Sequence, residues 1–169
     1  MPIPVAQPLL VLLLPEPLER FHLEAQARAL LQASGVVAVD PARLPVTRLP
    51  PGLAAGLALG QAKRMRRRLP GAPAAVAIVH PAQYYLAGAL LARNPEAELW
   101  YGEPDLAADR AGARPRARLR LEELHAAAAK RAVLTFDAAH DLDLAPLRAR
   151  MVELGIPGGL SAPPSAPSA

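Results

Sequence analysis

The sequence predicts an α/β domain built on a doubly wound, mostly parallel sheet. Three observations carry that expectation. Short apolar runs alternate with stretches of helical periodicity, five times over. The runs are apolar without interruption, as strands covered by helices on both faces are. Glycines and prolines fall between the runs, where turns belong. The 169 residues suit a single domain, expected over residues 1–160. A domain of this size buries roughly 70% of the surface its unfolded chain exposes, enough for a core without staples.

The elements follow in order. Leu9-Leu10-Val11-Leu12-Leu13-Leu14, bounded by Pro8 and Pro15, is the first strand. A helix is expected from about Pro17, with Leu18, Phe21, Ala25 and Ala29 at three- and four-residue spacing and Gly35 placed to end it. Val36-Val37-Ala38-Val39 is the second strand, and the four prolines of residues 40–51 mark a loop. Residues 52–68 read as a helix weakened by Gly56 and Gly60. Ala75-Val76-Ala77-Ile78-Val79 is the third strand. The helix that opens at His80-Pro81 and runs to about Arg93 is apolar nearly all round, hence buried. Glu98-Leu99-Trp100-Tyr101 is a short fourth strand, followed by a polar loop over residues 102–115. A helix over residues 118–130 places Leu121, Leu124 and Ala128 on one face. Ala132-Val133-Leu134-Thr135-Phe136 is the fifth strand. Leu144, Leu147, Met151 and Leu154 mark a last helix ended by Gly155. Residues 161–169 are only Ser, Ala and Pro, a composition that predicts a disordered tail.

Composition narrows the function classes. The chain has no cysteine, which removes disulfides and thiolate metal sites and fits a reducing compartment. Met1-Pro2-Ile3-Pro4 lacks a basic leader, the following apolar run is too short for a signal core, and no run approaches a membrane span. The expected location is therefore cytoplasmic. A net charge of +4 is weak evidence for nucleic acid, because arginine is enriched throughout while lysine occurs only at Lys63 and Lys130. At 4% aromatic, the chain lacks the stacking platforms of single-strand binders, so no nucleic-acid partner is expected.

In open parallel sheets, ligands bind beyond the carboxyl ends of the strands. The loops to inspect begin at Pro15, Asp40, His80, Tyr101 and Asp137. Leu14-Pro15-Glu16-Pro17 has no glycine, which disfavours a dinucleotide or flavodoxin-like nucleotide site. There is no P-loop, and neither a G-x-S-x-G elbow nor a suitably placed serine. No cofactor is expected. His80 is the candidate catalytic residue, as general base or as donor to a ligand oxygen, against the plainer reading of a helix cap. Tyr101 and Asp105, with Gly102 between them, are candidate substrate contacts, against a simple turn. Asp137, His140, Asp141 and Asp143 form an acidic cluster, but acids are expected before a helix, so no metal site is assigned.

Lys63-Arg64-Met65-Arg66-Arg67-Arg68 is the densest basic run. At about 100° per residue, Lys63, Arg64, Arg67 and Arg68 share one face, opposite Ala55, Ala58, Leu59, Ala62, Met65 and Leu69. Arg66 falls in the apolar arc and has to snorkel out. The basic face is a solvated surface or a contact for an anionic membrane. A second basic stretch, with Arg110, Arg114, Arg116, Arg118 and Arg120, is a phosphate contact or a loop.

Gln61-Ala62-Lys63-Arg64, Val76-Ala77-Ile78-Val79-His80-Pro81-Ala82-Gln83-Tyr84 and Ala97-Glu98-Leu99-Trp100-Tyr101-Gly102 together resemble the N-terminal domain of GT-B glycosyltransferases of the family 4 kind. The resemblance spans residues 9–155. It implies a Rossmann-like domain that holds the acceptor, with Tyr84 among the substrate contacts, while a second domain binds the nucleotide sugar. It also implies metal-free chemistry in the cleft between the two and basic helices that touch membranes. Two departures stand out. The family usually has a serine after the fifth strand, where this chain reads Asp137-Ala138-Ala139. The Pro/Ser/Ala tail falls where the donor domain would start, so transfer is expected to need a donor-binding domain in trans. The alternative expectation is a non-catalytic interaction module that docks through its basic helix to a membrane or a protein partner.

Overall fold

The computed structural model describes residues 6–39 and 46–158. Five strands form one parallel sheet: β1 Leu9–Leu13, β2 Val36–Val39, β3 Pro73–Ile78, β4 Glu98–Glu103 and β5 Leu134–Asp137. Their order across the sheet is β2-β1-β3-β4-β5. Every neighbouring pair is parallel. The predicted doubly wound α/β class is therefore the class observed.

The apolar runs form strands because each alternate residue meets a separate core. Leu10, Leu12 and Leu14 point with Ala75, Ala77 and Trp100 into one core, and Val11 and Leu13 point with Val76, Ile78, Leu99 and Tyr101 into the other. Helices α1 (Glu24–Leu31) and α6 (Leu144–Glu153) cover the first face through Ala27, Leu30, Leu147 and Met151. Helices α2 (Pro51–Arg66), α3 (Tyr84–Leu91) and α5 (Pro115–Arg131) cover the second. α3 is buried along Leu86, Ala87, Ala89, Leu90 and Leu91, as its all-round apolar sequence predicts. α5 buries Leu121, Leu124 and Ala128, the face read from its spacing.

Several local expectations change. The first helix is two pieces, a 3-10 turn at Leu18–Arg20 and then α1. Gly35 does not end it. A Cβ on Gly35 would sit 2.7 Å from Ile156 and Pro157, so the glycine lets the last segment cross the start of β2. The loop after β4 contains a short helix, α4 (Ala107–Gly112). Gly155 does end α6: at φ 68° it lets its own N–H reach the Val152 carbonyl while the Ile156 N–H reaches Met151. That pair of bonds satisfies carbonyls the helix leaves open, and Ile156 then packs into the core.

On α2 the buried arc is Ala54, Ala58, Ala62 and Met65. It is rotated from the expected one, and Leu59 is 56% exposed. Small residues every fourth position let α2 lie close on α3. Arg66 reaches out of the arc and donates to the carbonyls of Ala89 and Leu90, beyond which α3 ends. A cation is favoured at that end of a helix. The predicted tail of residues 161–169 lies outside the described residues.

Candidate functional site

The strand order locates the crevice. From β1 the chain leaves to α1 on one face, and from β3 it leaves to α3 on the other. Neighbouring loops that part in opposite directions open a gap at the carboxyl edge of the sheet. A cavity of about 570 Å³ occupies this edge. Glu16 from the β1 loop, His80 and Gln83 from the β3 loop, and Asp105 and Asp109 from the β4 loop line it, with His22 at its side.

His80 is held by the chain that follows it. Its backbone is extended, at φ −150° and ψ 137°, and its Nδ1 accepts from the Ala82 N–H at 3.1 Å, capping the 3-10 turn Pro81–Gln83. An accepting Nδ1 leaves the proton on Nε2 in the neutral ring. Nε2 lies 3.5 Å from Asp109 Oδ1. His80 is thus set up as a donor through Nε2–H. To act as a base it would first have to release Ala82.

Gln83 supplies the clearest unmet demand. It is 6% exposed, and its Oε1 accepts from the Val79 N–H at 3.2 Å. Its Nε2 is buried and has no hydrogen-bond partner among the described residues. A buried amide donor left without a partner costs about 1–3 kcal/mol, and Gln83 is also among the residues that line the cavity.

His22 was not singled out by the sequence, because only the fold brings it to the cleft. Its Nε2 lies 3.2 Å from the Ala138 carbonyl oxygen and must donate to it. The neutral ring then carries its lone pair on Nδ1. Phe21 meets the imidazole edge-on, with ring centroids 4.9 Å apart. Asp105 caps the chain ahead of α4, accepting from the Ala107 N–H at 2.8 Å, and lines the cleft.

Comparison of the chain with protein-family models, with curated proteins and with solved structures finds no match in any of the three.

Of the predicted contacts, His80 and Asp105 meet in this cleft and three others do not. Tyr101 is fully buried on the α5 side of the sheet, its hydroxyl 2.7 Å from His125 Nδ1. Burial, then the nearby Glu103 and Glu122 carboxylates, pushes its phenol well above the ordinary range. It presents no ring for stacking. Gly102 is also inside the sheet, where a Cβ would come within 2.6 Å of the Phe136 ring and 2.8 Å of Ala138. Its small size serves packing. Tyr84 packs beside Tyr85 and under the Arg131 guanidinium, 6.0 Å from its ring centre, away from the cleft. The reason is common to Tyr101 and Gly102: β4 continues to Glu103, because Gly102 and Glu103 still pair with Phe136 and Asp137.

The acids at the end of β5 and after it are engaged within the fold. Asp137 accepts from Ala139 N–H at 2.7 Å, Asp143 from Ala145 N–H at 3.1 Å, and Asp141 from the Gln26 amide at 3.1 Å. Lys63, Arg64, Arg67 and Arg68 are all exposed, on the outside of α2 and at its end. No helix among the described residues is long and apolar enough to cross a membrane.

Taken together, the cleft is walled by the carboxyl-bearing Glu16, Asp105 and Asp109, by the His22 and His80 imidazoles, of which His80 Nε2 faces Asp109, and by Gln83. No lysine or arginine lines it among the described residues. Pro15 and Pro17, in the loop where doubly wound folds hold phosphates, lack an N–H to give.

Proposed function

We propose that this chain is the acceptor-binding domain of a glycosyltransferase-like system, with the cleft at the β1–β3 edge holding a hydroxyl-rich acceptor. One observation carries the reading: Gln83, whose Nε2 is buried and has no hydrogen-bond partner among the described residues, lines a cavity walled otherwise by carboxylates and imidazoles. Hydroxyl groups both donate and accept, and this mixed set serves both needs. The segments that resemble GT-B N-terminal domains support the same reading.

Within it, the two histidines divide the work. His22 Nδ1 takes the proton of the acceptor hydroxyl, and His80 Nε2–H holds a neighbouring oxygen. The assignment takes the second of the two roles expected for His80, a donor to a ligand oxygen, and places the base at His22. The sugar itself comes from a nucleotide sugar held by a donor-binding domain facing the cleft. Calorimetry with a panel of hexoses and hexitols tests the binding step. Binding that weakens in Gln83→Leu supports the reading, and no binding by any member of the panel rejects it. With a donor-binding domain added, turnover lost in His22→Ala but only reduced in His80→Ala supports the division of roles.

A second reading has its own observation. Leu53 and Leu57 are 61% and 50% exposed on the outer side of α2, in line with Arg64 about three and two turns on. Exposed leucines beside a basic cluster suit the surface of an anionic bilayer. Co-sedimentation with phosphatidylglycerol vesicles tests it: binding that survives both Leu53→Ser/Leu57→Ser and Arg64→Ala/Arg67→Ala/Arg68→Ala removes this reading.

A further inference from the structure

We infer that the acceptor is phosphorylated: its polyol part fills the cleft at Gln83, and its phosphate lies in an adjoining groove lined by Arg48, Arg114 and Arg116. This rests on the proposed acceptor role of the cleft and adds the charge of the ligand.

The groove has a volume of about 820 Å³ and shares Asp109 with the first cavity, so the two sites are continuous neighbours. Its arginines come from two distant parts of the chain, Arg48 ahead of α2 and Arg114 and Arg116 at the start of α5. The fates of the other arginines nearby make the cluster informative. Arg110 pairs with Glu122, Arg120 pairs with Glu123, and Arg118 donates to the Arg110 carbonyl. Arg48, Arg114 and Arg116 form no ion pair among the described residues, and all three face the same groove. Three guanidinium-bearing residues without an ion pair among the described residues thus line one groove, a setting that suits an anion. Guanidinium forks match phosphate oxygens bidentately, which lysines cannot do as well.

Electrostatics also orients the ligand. A phosphate is repelled by Glu16, Asp105 and Asp109 in the first cavity and attracted by the arginines of the second. Uncharged hydroxyls have the opposite preference, because there they find the Gln83 amide and the carboxylates. A sugar phosphate therefore fits in one direction only. Asp109, turned toward His80, forms the partition between the two.

The test is calorimetry on the full chain with a hexose, its 6-phosphate and inorganic phosphate, at low and high salt. The inference predicts that the hexose phosphate binds at least roughly tenfold more tightly than either fragment, the scale of one charge-assisted hydrogen bond. The gain shrinks at high salt, because the arginines are exposed. In Arg48→Gln/Arg114→Gln/Arg116→Gln the gain is lost while the hexose still binds as before. Equal affinity for hexose and hexose phosphate overturns the inference but leaves the acceptor reading standing. A gain that survives the triple substitution also overturns it. No binding of either sugar rejects both. A parallel arm with phosphatidylglycerol vesicles separates soluble phosphate esters from lipid headgroups: a groove-dependent gain seen only on vesicles overturns the soluble assignment.

Discussion

The hydroxyl of Tyr101 lies 2.7 Å from Nδ1 of His125, on the face of the sheet covered by α5 and away from the cleft. Replacing this tyrosine therefore separates stability from binding. Tyr101→Phe removes one buried hydrogen bond and is expected to cost about 1 kcal/mol in urea unfolding. Ligand affinity at the cleft stays unchanged. The same residue gives an alkaline signature. Its folded-state pKa is raised, mainly by burial, so its contribution to stability is full below its ordinary value of 10.0 and is lost as pH rises beyond it. Unfolding curves between pH 9 and pH 11.5 should steepen in their pH dependence for the wild type and flatten for Tyr101→Phe.

At the opposite end of β4, Glu98 accepts from the indole N–H of Trp100 at 2.9 Å and is gripped by the Arg150 guanidinium of α6. The hydrogen bond from Arg150 holds its carboxyl below the ordinary value of 4.5, against the opposing effect of burial. A lowered folded-state value means stability that is present above pH 4.5 and lost as pH falls below it. Arg150→Met leaves the Glu98 carboxylate without its cation and should destabilise the fold. Glu98→Gln is destabilising at pH 7, and its stability should change less than the wild type's between pH 6 and pH 3. Urea melts across that range check both.

Gly56 and Gly60 have open space where a Cβ would stand, and neither has positive φ. Alanine at either site should stabilise α2 by about 0.5–1 kcal/mol. Thermal melts of the single and double variants measure it, and the two increments should add.

Gly102→Ala has the opposite sign. Its methyl would press on the Phe136 ring in β5 and on Ala138 just beyond it, at an expected cost of about 1–3 kcal/mol. Pairing it with Phe136→Leu should recover part of the loss, which a double-mutant cycle reads directly.

The sheet was legible because parallel strands buried on both faces are written as unbroken apolar runs. The same rule led to His80, which directly follows β3. The rule failed at Tyr101 and Gly102 for a reason of length. The apolar pattern of β4 stops at Tyr101, whereas backbone pairing to β5 carries the strand to Glu103. Two expected rim residues thus lie inside. α4 left a faint trace in Asp105, two residues before the Ala107 N–H that it caps. His22, Gln83 and Asp109 carried none, because each belongs to the cleft through contacts between different loops, and spacing along the chain says nothing of those. Arg66 was the reverse case: its place in the apolar arc foretold that it must reach out, and it ends on the carbonyls of Ala89 and Leu90.

The most direct measurement is an amide chemical-shift titration of the isotopically labelled chain with a hexose that binds. The account predicts that the shifts cluster at Val79, His80, Gln83 and Asp105, and that the side-chain amide of Gln83 moves most. Shifts confined to α2, or spread evenly with the Gln83 amide unmoved, would contradict a ligand seated at the β1–β3 edge.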